Sequence, residues 1–102
     1  MIIDLGTPPQ ANADKPVVYR ETIQTPEFRG GHYVLQAGAD DLQQPHREDE
    51  AYLVLSGRAT FEEAGKREPV RQGHVIVVKA GVPHRFVDIE EDITLFVLFA
   101  KR

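Results

Sequence analysis

From Val17 onward the chain alternates short apolar runs with turn-forming residues. Val17–Ile23 reads as a first strand and Phe28–Ala37 as a second, with Gly30-Gly31 marking a bulge or bend. Gly38-Ala39-Asp40-Asp41 reads as a turn. Tyr52–Leu55 is a strand, Ser56-Gly57 a tight turn, and Arg58–Glu62 the next strand. Gly65-Lys66 turns into Arg67–Arg71, Gln72-Gly73 punctuates, and Val75–Val78 is a short buried strand. Ala80-Gly81-Val82-Pro83 forms a loop, after which His84–Val87 and Ile93–Phe99 are the last two strands. Roughly eight short strands with regular Gly, Pro and Asp punctuation predict an all-β sandwich or barrel. No segment sustains a capped 3.6-residue apolar period, so a helical domain is not expected.

The stretch before Val17 differs. Gly6, Pro8, Pro9, Asn12, Asp14 and Pro16 make residues 1–16 an extended arm, with residues 17–102 forming one barrel. In several strands both faces are apolar: Tyr52 and Val54 share one face, Leu53 and Leu55 the other, and Leu95–Phe99 has no polar face. A strand with one face in water should alternate. The arm or a second subunit is expected to cover the outer face, and a homodimer is the favoured reading.

Composition narrows the function. The chain has 102 residues, one domain's worth, with a formal charge of −4 and a pI of about 5.5. That balance argues against nucleic acid as the main partner. There is no cysteine, which excludes disulfides, cysteine zinc sites and a thiol nucleophile, and fits a cytoplasmic location. Met1–Gly6 has neither a basic start nor a long apolar run, so no signal peptide is expected. The apolar run Leu95–Ala100 is far too short to span a membrane.

The candidate chemistry lies in Gln44-Pro45-His46-Arg47-Glu48-Asp49-Glu50. On an unbulged strand Gln44, His46, Glu48 and Glu50 share a face. His84 follows the Ala80–Pro83 loop much later. Two histidines and a carboxylate from separate strands suit Fe, Mn, Ni, Co or Zn as divalent ions, with positions left open. A histidine followed at a distance by a glutamate is, alone, more often a pair of solvated surface side chains than a metal site.

Two longer patterns resemble the cupin family. In the first, Gly38 is followed by five residues, Gln44-Pro45-His46, three residues, Glu50, six residues and Gly57. This resembles the first cupin motif, with Gln44 where the family has a histidine. In the second, Gly73 is followed by five residues, Lys79-Ala80-Gly81, two residues, His84, three residues and Asp88. This resembles the second motif, with Lys79 in place of its proline and Asp88 in place of its asparagine. The resemblance covers about residues 28–100 and implies a double-stranded β-helix, or jelly-roll, barrel. It maps the family's four metal ligands to Gln44, His46, Glu50 and His84. A glutamine offers only a neutral amide oxygen, weaker than imidazole. Glu48 is a rival to Glu50 if the strand bulges, but Glu50 keeps the spacing to Gly57.

Other residues receive plainer expectations. His32 and His74 read as structural or exposed, Tyr52 as pocket-lining and Phe86 as core. Arg85, opposite in parity to His84, should point away from the site. The family includes dioxygenases, isomerases, decarboxylases and lyases, so the resemblance implies a divalent-metal-dependent enzyme acting on a small molecule. The alternative is a non-catalytic ligand-binding or sensing module with a structural metal or none.

Overall fold

A computed structural model describes residues 1–101. Its six strands are β1 (Val17–Gln24), β2 (Phe28–Leu35), β3 (Asp49–Glu63), β4 (Lys66–Arg71), β5 (Val75–Val78) and β6 (His84–Ala100). All pairings are antiparallel. The order is β1-β2-β6-β3-β4, with β5 also paired to β3. No helix among the described residues is long and apolar enough to cross a membrane.

The architecture rests on the two long central strands. β3 and β6 pair along their whole length, from Asp49↔Ala100 to Glu63↔His84, with register shifts between Val54 and Thr60. Those shifts bend both strands together, so each contributes a half to both sides of the barrel. β1, β2 and β5 extend one half, and β4 extends the other.

The bend corrects the expected strand count. Ser56-Gly57 reads as a hairpin turn, and residues 88–92 read as a break between two strands. In the structure both lie within continuous strands, because the partner strand bends at the same level and the ladder resumes beyond it. Gly57 has φ 87°, and a Cβ there would sit 2.2 Å from the Asp92 carbonyl oxygen. The turn signal was therefore a corner signal.

Gly31 acts in a similar way. The irregularity lies in β1, between Glu21 and Ile23, opposite Gly31 and Gly30. A Cβ on Gly31 would fall 1.9 Å from the Arg20 carbonyl oxygen, so only glycine admits the bulged strand this closely.

The core fills the space inside the bent sheet. Leu35, Tyr52, Val54, Phe61, Phe86, Ile93, Leu95 and Val97 are all buried there. Phe61 and Phe86 pack with centroids 4.9 Å apart, and Phe86 meets Tyr52 edge-on at 5.2 Å. The outer face is partly covered. Arg20 donates to the Thr7 carbonyl, which ties the arm to β1, and the arm's Leu5, Pro8 and Pro9 are half-buried. His32, read as structural or exposed, is buried on β2 with its Nδ1 unpartnered among the described residues. Further round the barrel, Leu53, Val75 and Val77 stay exposed at 39%, 62% and 60%.

Candidate metal centre

The site forms where three segments meet at one end of the barrel. Glu50 is the second residue of β3 and pairs with Val78 and Phe99, which fixes its side chain inward. His84 opens β6. His46 lies in the irregular segment before β3, not on a strand. The parity argument therefore does not apply to it, and a backbone bond places it instead. Gly81 N donates to the His46 carbonyl at 2.8 Å, and Ala80 N donates to Asp49 Oδ1 at 2.8 Å. These bonds join the His46 segment to the loop that carries His84.

The result is one cluster. His46, Glu50 and His84 each offer a ligand atom, and the three atoms lie within 4.8 Å of one another. His84 Nδ1 donates to the Val82 carbonyl at 2.8 Å, which turns Nε2 into the cluster. That Nε2 lies 2.5 Å from Glu50 Oε1. The two are an ion pair when His84 is protonated, and among the described residues the buried Glu50 oxygens have no other partner. A buried carboxylate left so is costly unless a cation completes it.

The local electrostatics agree. Burial pulls the His84 pKa down, but the Glu50 carboxylate and the Val82 carbonyl more than offset this and hold it above the ordinary histidine value. The site thus favours positive charge between Glu50 and His84, which a proton or a metal ion would supply. The donor set fits a divalent metal ion, with imidazole nitrogens and a carboxylate on one side and a pocket on the other.

Other expected residues separate clearly. Glu48 is taken by Arg29, whose Nε donates to Glu48 Oε2 at 2.7 Å, and this holds the Glu48 carboxyl below its usual range. The rival to Glu50 is therefore engaged elsewhere, because the segment before β3 is irregular and turns Glu48 toward β2. Gln44 is exposed, while its neighbour Gln43 lines the pocket. Arg85 is exposed and bonds Glu62 at 2.7 Å, pointing away as its parity predicts. Tyr52 lines the pocket and Phe86 is core, also as expected.

Sequence reasoning missed a hydrogen-bonded chain behind the cluster. Asp41 is buried, accepting from Tyr33 OH at 2.6 Å, Gln43 Nε2 at 2.7 Å and Phe86 N at 2.8 Å. Gln43 Oε1 in turn accepts from Tyr52 OH at 3.0 Å, and that hydroxyl lies 3.2 Å from His84 Nε2. Burial, followed by the nearby carboxylates, raises the pKa of Tyr33 and Tyr52, so both stay protonated donors. Asp41 sits in a segment that reads as an ordinary turn, and nothing local in the sequence signals its burial.

A pocket of about 210 Å³ opens beside the cluster, walled by His46, Tyr52, Tyr33 and Phe99 among others. A larger hollow of about 670 Å³ lies between β4 and β5, but it holds none of the three clustered residues.

The family model described as Cupin domain matches residues 31–100. An uncharacterised protein of Streptomyces coelicolor, SCO3923, is 39% identical over 82 residues, covering 80% of this chain and 78% of that protein. Among solved structures, KdgF from a Halomonas species superposes with a TM-score of 0.78 at 21% identity, covering 89% of this chain and 84% of the other. An RmlC-like cupin with a double-stranded β-helix fold, from Methanocaldococcus jannaschii, gives 0.73 at 17% identity over 89% of this chain and 86% of that one. These likenesses show the fold, and the family match extends from β2 through β6. The chain belongs to the cupin family.

Proposed function

We propose that His46, Glu50 and His84 hold one divalent metal ion, and that the protein is a metal-dependent cupin enzyme acting on a small organic molecule. The observation that carries this is Glu50: two buried carboxylate oxygens with no partner among the described residues except the histidine nitrogen aimed at them. A zinc, iron, manganese, nickel or cobalt ion bound there would polarise a carbonyl, activate water or bind oxygen. Val82 and the Asp41–Gln43–Tyr52 chain orient the surrounding groups, and Phe99 and Val97 keep the pocket side apolar. The dioxygenase, isomerase or lyase character belongs to this proposal.

Cobalt(II) titration tests it. The wild type should saturate at one ion per chain with a visible absorption band, and His84→Ala should show none. A His84→Ala protein that retains the band and the stoichiometry would remove the ligand assignment.

A second reading, a non-catalytic binding module, is favoured by the pairing of the pocket's hydroxyls. Tyr19, Tyr33 and Tyr52 all donate to neighbouring side chains and are not free to move protons. Oxygen uptake and isomerisation assays on metal-loaded protein separate the two readings. Turnover with any of the five metals supports the enzyme, and ligand binding without turnover supports the module.

A further inference from the structure

The pocket beside the metal position has an unusual chemical balance. Its surface carries three tyrosines, an arginine, a glutamine and His46, and apart from the metal-facing His46 their polar groups are already committed. Tyr33 bonds Asp41 at 2.6 Å, Tyr52 bonds Gln43 at 3.0 Å and Tyr19 bonds Glu21 at 2.9 Å. Arg29 pairs with Glu48 at 2.7 Å and Glu21 at 3.3 Å, and its guanidinium lies 3.9 Å from the Phe99 ring centre. What remains toward the cavity is ring surface. Tyr19 meets Tyr33 at 6.4 Å and Phe99 at 6.5 Å, both edge-to-face, and His46 meets Phe99 at 5.0 Å.

Such a wall discriminates between ligand classes. A polyol or sugar acid brings several hydroxyls, and each one buried without a partner costs about 1–3 kcal/mol. A second anionic group would find the Arg29 charge already matched by two carboxylates. An aromatic ring needs no hydrogen bonds and gains edge-to-face contacts with the existing rings. The volume of about 210 Å³ lies below the range of about 300–1,000 Å³ typical of drug-sized ligands, so there is room for one ring and a short head.

We propose that this pocket takes a single aromatic ring, carried by a ligand whose adjacent oxygens reach the His46–Glu50–His84 position. The oxygen head rests on the metal reading above; the ring site does not.

Mandelate, lactate and glycerate share one α-hydroxy-acid head and differ only in the attached group, so they isolate the ring. The experiment is calorimetric titration of zinc-loaded protein with each. Mandelate should bind at least about tenfold more tightly than lactate, the equivalent of about 1.4 kcal/mol, with glycerate weakest. Phe99→Leu, which nearly conserves volume, and Tyr19→Leu at the pocket mouth should each reduce that preference severalfold. Equal affinity for mandelate and lactate, or tighter glycerate binding, overturns the proposal. If zinc does not load, the metal reading fails by itself. The ring site is then decided without metal, by tyrosine fluorescence with benzyl alcohol against propanol: preferential binding of benzyl alcohol upholds it, and no preference overturns it.

Discussion

Glu50 Oε1 and His84 Nε2 lie 2.5 Å apart, Glu50 has no other partner among the described residues, and His84 Nδ1 is held by Val82. Once His84 is neutral, the carboxylate is therefore a burden on the metal-free fold, and it is an asset to the loaded one. Glu50→Gln removes the charge and keeps the shape. At about pH 9, where His84 carries less positive charge, the metal-free variant should be more stable than wild type by about 1–3 kcal/mol. For a domain of this size that raises the melting temperature by several degrees. With metal present the order should reverse. Thermal melts of both proteins, with and without zinc, check this, and a variant that melts lower in both states would refute it.

The raised His84 pKa sets a pH dependence with a definite sign. A folded value above the unfolded one means that protonated His84 contributes stability below the ordinary histidine value of 6.5. That contribution is lost as pH rises through the folded value. The metal-free melting temperature should fall across this window. Metal needs the deprotonated imidazole, so loading should release a proton and weaken on acidification. Calorimetry in buffers of different ionisation enthalpy reads the proton directly. No proton release within the window would contradict the assignment of His84.

Gln43 and Gln44 have distinct expected effects. Gln43 links Asp41 to Tyr52 beside His84, so Gln43→Ala should lower metal affinity by about 10-fold or more. Gln44 is exposed, and Gln44→Ala should leave metal affinity within about twofold. Competition against a chelator of known affinity measures both. The reverse pattern would make Gln44 a ligand, as the motif alignment suggests.

The outer face bears on assembly. Leu53 pairs with Val75 across β3 and β5, and with Val77 they leave apolar surface exposed on a short strand that bonds to β3 alone among the described residues. A homodimer through this face is expected. Light scattering should give twice the chain mass of 11.5 kDa, and Val77→Lys should shift it to one. A wild-type monomer at concentrations of about 100 μM would remove that expectation.

Much of this was legible in the chain. Short apolar runs, turn residues and the two motifs pointed to an all-β cupin barrel and brought His46, Glu50 and His84 together. The corner at Gly57 was not legible as such, because a glycine that ends a strand and a glycine that bends one look alike locally. That Gln43 lines the pocket while Gln44 is exposed was not legible either, since strand parity has no meaning in the irregular segment that precedes Asp49. Asp41 was missed for a related reason: its burial depends on Tyr33, Gln43 and the Phe86 backbone, which only the fold assembles.

Elemental analysis of untagged protein, purified without added metal, tests the central claim most directly. The wild type should carry close to one divalent ion per chain and the His46→Ala/His84→Ala double variant almost none, with both proteins folded by circular dichroism. Full metal occupancy in the folded double variant, or a wild type that takes up no ion even when offered zinc, iron, manganese, nickel and cobalt in turn, would contradict it.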